Sequence, residues 1–141
     1  MPLNLLIVDD SLPMRSVIIK TIRASGFSGA NFLEASNGWE ALRILKQEWL
    51  DLVITDYNMP DMNGMELISE MKKDSILNSI PVLVVTTEGS KKKYEEFMQK
   101  GATDYVKKPF TPEMIKIKIN QILGEVKDEA ETKNCDESLD F

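Results

Sequence analysis

The chain has 141 residues, 43% hydrophobic and 28% charged, with a formal net charge of −6 and one cysteine, Cys135, the size and balance of a single globular domain with a sizeable core. It has no histidine, which excludes His-based triads, His metal ligands and a phosphohistidine carried on this chain, and its acidic balance argues against general nucleic-acid affinity. No apolar run approaches the roughly 20 residues of a membrane span, Met1-Pro2-Leu3-Asn4 carries no basic leader region, and a lone cysteine fits a reducing compartment, so a cytoplasmic protein with no membrane insertion is expected.

Residues 3–8 form a short continuous apolar run ending in Asp9-Asp10, the pattern of a fully buried strand. Ser11 is placed to cap a helix with Pro13 in its first turn and a stripe of Met14, Val17, Ile18 and Ile22, stopping at Gly26. A more exposed strand follows over 30–35. Asn37-Gly38 opens a second helix carrying Trp39, Leu42, Leu45 and Trp49. Residues 52–55 are a third buried strand, which meets a single acid, Asp56, before the chain turns at Pro60 and Gly64. A short helix carries Met65, Leu67, Ile68 and Met71. The fourth strand, 82–85, ends at Thr86-Thr87. Ser90 caps a helix with Tyr94, Phe97 and Met98, closed by Gly101. A fifth strand over 103–107 runs into Lys108-Pro109, and Thr111-Pro112 opens a last helix with Ile115, Ile119, Ile122 and Leu123 inward and Gly124 at its end.

Strand and helix alternate five times with no internal repeat, which predicts an α/β fold: a parallel sheet covered by helices on both faces. Residues 125–141 differ. They hold seven acids against two lysines, so an acidic tail is expected whose first half extends the last helix and whose second half has a disordered composition.

Four predicted strand ends carry reactive groups: Asp9-Asp10, Asp56, Thr86 and Lys108. In a doubly wound sheet such ends converge on one crevice at the topological switch point. Three carboxylates delivered to one edge repel one another; a divalent cation with hard oxygen ligands, Mg²⁺ above all, resolves that conflict. The set suits phosphoryl transfer. Asp56 can attack phosphorus as a nucleophile, a cation offsets the charge of the incoming group, Lys108 supplies a second positive charge, and Thr86 offers a hydroxyl donor.

Four segments carry a family resemblance: Ile7-Val8-Asp9-Asp10-Ser11; Asp56-Tyr57-Asn58-Met59-Pro60 with Asn63-Gly64; Pro81-Val82-Leu83-Val84-Val85-Thr86; and the run from Gly101 through Lys108-Pro109-Phe110. In this order and spacing, over residues 3–124, the chain resembles the receiver domains of two-component response regulators, and among them the single-domain chemotaxis receivers of the CheY type. The resemblance implies a flavodoxin-like sheet of order 2-1-3-4-5 with five helices, with residues 1–124 as receiver and 125–141 as tail. It implies Asp56 as phosphoacceptor. One Mg²⁺ would be held by Asp10 and Asp56, by Asp9 through water, and by the Asn58 backbone carbonyl. Lys108 would pair with the phosphate across a cis bond to Pro109, a state that proline makes accessible. Thr86 would move toward the phosphate, Tyr105 would swing inward, and Asn58 and Glu88 would flank the hydrolytic water, giving a phosphate lifetime of seconds to minutes.

The implied function is that of a monomeric signalling switch rather than an enzyme. A sensor histidine kinase donates the phosphoryl group, a phosphatase can assist its removal, and an output protein, such as the flagellar switch, docks on the face of the fourth helix, fifth strand and fifth helix. Two other readings stand beside it: a phosphorelay intermediate or a receiver working outside chemotaxis, and a Mg²⁺-dependent phosphatase of the haloacid-dehalogenase type, which carries Asp-x-Asp where this chain has Asp9-Asp10-Ser11. Lys91-Lys92-Lys93 opposes the dipole of the helix it opens; with Lys116 and Lys118 it is expected to form a basic rim on the output face, suited to an acidic partner.

Overall fold

A computed structural model describes residues 2–87 and 89–124. The expectations for the tail, 125–141, and for Glu88 lie outside the described residues. Five parallel strands, β1 (Asn4–Val8), β2 (Asn31–Ala35), β3 (Leu52–Asp56), β4 (Val82–Thr86) and β5 (Asp104–Lys107), stand in the order β2-β1-β3-β4-β5. Five α-helices alternate with them: α1 (Leu12–Ile22), α2 (Gly38–Gln47), α3 (Gly64–Lys72), α4 (Lys91–Lys100) and α5 (Pro112–Leu123). This is the doubly wound fold expected from the sequence.

The strands divide their side chains between the two faces with period two. Leu5 and Ile7 of β1, Leu52 and Ile54 of β3, and Leu83 and Val85 of β4 pack under α1 and α5 with Ile18, Ile22, Ile115 and Ile119. Their neighbours Leu6, Val8, Val53, Val82 and Val84 pack on the other face against Leu45, Leu67, Ile68 and Phe97 of α2, α3 and α4. Because β1, β3 and β4 are buried on both faces, nearly every position in them must be apolar. The buried departures are Thr55, whose hydroxyl donates to Asp56 O at 3.0 Å, and the two groups at strand ends, the carboxylate of Asp56 and the hydroxyl of Thr86.

Helix starts follow the capping residues. Ser11, Asn37, Asn63, Ser90 and Thr111 each accept a backbone N–H three residues on, and Asn63 with Glu66 completes a capping box. Gly26 stops the first helix as expected: the α1 stripe reaches Ile22 and passes into a wide π-type turn, Arg23–Phe27, where Ser25 Oγ donates to Ile22 O at 2.7 Å and Gly26 takes the left-handed φ of +113° that ends it. The end of α2 differs from expectation: Trp49 is not on it. That helix ends at Gln47, Glu48 is extended, and Trp49 is 79% exposed beyond it. The Asp51 carboxylate accepts the Asn4 N–H at 2.8 Å, drawing the chain into β3 before the helix can add another turn.

The loop between β3 and α3 is held close to the sheet. The Gly64 N–H donates to Tyr57 O at 2.9 Å, and a Cβ at position 64 would lie 2.7 Å from the Asp56 carbonyl oxygen. Gly64→Ala therefore forces backbone apart beneath the candidate site. We expect it to lower stability by about 1–3 kcal/mol, read as a lower urea midpoint with an unchanged m-value.

Candidate functional site

The site forms where β1 and β3 lie side by side and the chain leaves them in opposite directions, β1 toward β2 and β3 toward β4. That divergence leaves a crevice at the carboxyl ends of the strands. Asp9 follows the last residue of β1, and its backbone N–H is fixed by Ala35 O at 3.1 Å. Asp56 is the last residue of β3, level with Val85. Thr86 is the last residue of β4, level with Lys107, and its carbonyl accepts the Lys108 N–H at 2.7 Å. The Lys108–Pro109 peptide is cis.

One carboxylate oxygen from each of Asp9, Asp10 and Asp56 lies within 4.8 Å of the other two. Asp9 and Asp56 are buried and Asp10 is exposed. Lys108 enters from the β5 side, its Nζ 3.1 Å from Asp56 Oδ1 and 3.7 Å from Asp9 Oδ2. Asp9 Oδ1 accepts the Ser11 N–H at 2.9 Å, but Asp9 Oδ2 is buried and accepts no hydrogen bond. Burial holds the Asp9 carboxyl above the usual range of about 3.8; Asp56 and Asp10 push it the same way, while the Ser11 N–H and Lys108 pull against them. A buried oxygen with no hydrogen bond and only a 3.7 Å ion pair, set among three acids, is what an oxygen-seeking divalent cation would satisfy, so the donor set fits such an ion.

The other predicted residues fall around this centre. Asn58 is exposed on the loop two residues past Asp56, and Thr86 is buried at the crevice wall. Tyr105 is half-buried, its ring 6.0 Å from Phe97, 5.2 Å from Tyr94 and under Lys118 Nζ at 6.0 Å. The expected basic rim is only partly formed. Lys91 and Lys92 are exposed, but Lys118 is paired with Asp104 at 3.0 Å and Lys93 turns away to donate to Tyr57 Oη at 3.0 Å. Those hydrogen bonds, to Tyr57 and Glu96, raise the Lys93 ammonium above its ordinary range.

Two supporting features escaped the sequence reading. Arg15 donates from Nη1 to Asp9 O at 2.7 Å while its Nε pairs with Glu34 at 2.8 Å, bracing the β1 end against β2. An apolar groove of about 350 Å³, lined by Met14, Val17, Ile18, Thr21, Pro109 and Phe110, runs alongside Lys108. Neither Arg15 nor the groove has a signature beyond helical spacing.

The model of the response regulator receiver domain matches residues 5–120. A chemotaxis protein CheY homolog of Campylobacter jejuni is 40% identical over 123 residues, 86% of this chain and 93% of that protein. CheY of Pseudomonas aeruginosa is 40% identical over 124 residues, 88% and 98% of the two chains. The crystallised CheY4 of Vibrio cholerae superposes with a TM-score of 0.79 at 32% identity, covering 87% of this chain and all of that one. The chain therefore belongs to the response regulator receiver family and is CheY-like within it.

Proposed function

We propose that the protein is a cytoplasmic phosphorylation switch in chemotaxis signalling, with residues 1–124 as receiver, 125–141 as an acidic appendage, and Asp56 as phosphoacceptor for a sensor histidine kinase. One observation carries this reading: two buried strand ends deliver three carboxylates to a single point, with one lysine 3.1 Å from the acid that would react.

Lys108 engages Asp56 through Oδ1, leaving Oδ2 to attack phosphorus. The new P–O bond forms as the P–N bond to the donor imidazole breaks, and the imidazole nitrogen keeps the electron pair. Asp10 and Asp56, with Asp9 through water and the Asn58 carbonyl, would hold one Mg²⁺, whose charge supplies electrostatic stabilisation of the phosphoryl oxygens. Lys108 then pairs with the phosphate, and Thr86 donates its hydroxyl to it. Asn58 is the residue this reading assigns to tuning the later hydrolysis, together with Glu88. The displaced Thr86 changes the space available to Tyr105, which shifts an existing two-state equilibrium on the face of α4, β5 and α5. A flagellar switch component is the output partner this reading favours.

The phosphodonor must approach the rim beside Lys108. The groove between α1 and Phe110 is apolar and touches that lysine, with Val17 53% exposed on its edge, so we assign it to the kinase's helical surface. Val17→Glu is expected to slow transfer from the phosphorylated kinase by about tenfold or more while leaving phosphorylation by acetyl phosphate unchanged. Equal loss with both donors would remove the assignment.

The reading itself is tested by intact mass after incubation with acetyl phosphate. Wild type gains one phosphoryl group only with Mg²⁺, and Asp56→Asn gains none; a gain that survives in Asp56→Asn places the chemistry elsewhere. A further prediction concerns stability without metal. Asp9 has a raised folded-state pKa, so between its unfolded and folded values the folded protein binds more protons than the unfolded chain, and stability falls as pH rises through that window. Asp9→Asn should therefore stabilise the metal-free fold at pH 7 by about 1 kcal/mol, with the gain fading as pH approaches 3.8. The same change should abolish the rise in Tm that Mg²⁺ gives the wild type. Thermal melts at several pH values, with and without Mg²⁺, check both signs.

A further inference from the structure

Three lysines open α4, and the third behaves differently from the other two. Lys91 and Lys92 are exposed, whereas the Lys93 side chain is only 28% exposed. Its Nζ donates to Tyr57 Oη at 3.0 Å, lies 4.7 Å from the centre of the Tyr57 ring and pairs with Glu96 at 3.2 Å. Phe97, four residues on and wholly buried, packs against the same ring at 5.3 Å. Residues four apart share a helix face, so α4 holds Tyr57 with two side chains, one polar at the hydroxyl and one apolar at the ring.

Tyr57 lies between Asp56 and Asn58. Its N–H donates to Val85 O at 3.1 Å and its carbonyl accepts from Gly64 at 2.9 Å, so β4 and the start of α3 fix its backbone while α4 fixes its side chain. A shift of the Tyr57 Cα, which the backbone contacts and the side-chain contacts restrain together, would carry the flanking residues Asp56 and Asn58 with it. A lysine in the first turn of a helix is unfavourable against the helix dipole; here the cost is offset by contacts to a residue of the candidate site rather than by solvent.

We propose that Lys93 is a positioning residue for the cation site: by holding Tyr57 it sets the placement of Asp56 and Asn58, and it ties occupancy of that site to the first turn of α4. This rests on the Mg²⁺ reading above. Such a tie is reciprocal. If Lys93 improves cation binding, cation binding strengthens the hold of Tyr57 on α4 by the same factor. A lysine serving only to anchor α4 would change stability and leave cation affinity alone.

The test is calorimetric Mg²⁺ titration of wild type, Lys93→Met, Tyr57→Phe and the double variant. Tyr57→Phe keeps the ring on Phe97 and deletes only the hydroxyl, so it remains informative if Lys93→Met fails to fold. Each single variant is expected to weaken Mg²⁺ binding by roughly three- to tenfold, the double variant by no more than the larger single effect, and Lys93→Arg should restore most of the affinity. Saturating Mg²⁺ should slow backbone amide exchange in the first turn of α4 in wild type and leave it unchanged in Lys93→Met. Wild-type affinity in both single variants, or a double variant equal to the product of the two, overturns the positioning role while leaving the receiver reading intact. Absence of Mg²⁺ binding by wild type overturns both.

Discussion

The structure is organised around a repulsion. Asp9, Asp10 and Asp56 bring three carboxylate oxygens within 4.8 Å, and one ammonium, from Lys108, faces two of them. A single cation cannot balance three anions. The imbalance appears as a raised Asp9 carboxyl and a buried oxygen without a donor. The surrounding fold is rigid enough to impose this: Asp56 sits in register in a strand buried on both faces, and Asp9 is fixed through its own N–H and carbonyl by Ala35 and Arg15. On the function proposed above, the stability that a relaxed arrangement would have gained is held instead as affinity for a cation, whose charge then admits the anionic phosphoryl group.

Burial explains why so much of this was legible in the sequence. A parallel strand covered on both sides tolerates almost no polar residue, so an acid at the end of an apolar run stands out, as Asp9-Asp10 and Asp56 do. Ser11, Asn37, Ser90 and Thr111 likewise mark helix starts, because each satisfies a backbone donor that has no other partner, whereas the capping box at Asn63 emerged only in the structure. What stayed hidden depended on where long side chains go. Trp49 continues the α2 stripe in spacing, yet the Asp51–Asn4 contact ends the helix first. Lys93 is indistinguishable in sequence from Lys91 and Lys92; only the tertiary placement of Tyr57 separates a held lysine from two solvated ones. Arg15 reads as an ordinary helix-surface cation until β2 brings Glu34 beside it.

Both faces of α4 are thereby explained by a division of labour along one turn. Its buried contribution is a single residue, Phe97, whose ring contacts Tyr57 on one side and Tyr105 on the other; Tyr105 in turn meets Tyr94 on the exposed side of the helix. Four rings thus run without a break from the residue after Asp56 to the surface proposed for output, and ammonium groups lie over the first and third of them, Lys93 over Tyr57 and Lys118 over Tyr105.

Packed rings of this kind do not deform smoothly. Each tilted pair has a narrow range of favourable geometry, and close-packed interiors move between discrete arrangements. α4 is anchored in the core by Phe97, with the half-buried Met98 packed beside it, so its position depends on few buried contacts, and on the function proposed above it is the element that a change at Asp56 would shift. Its contacts from Lys93 to Tyr57 and from Phe97 to both tyrosines are the ones that tie its position to the residue beside Asp56.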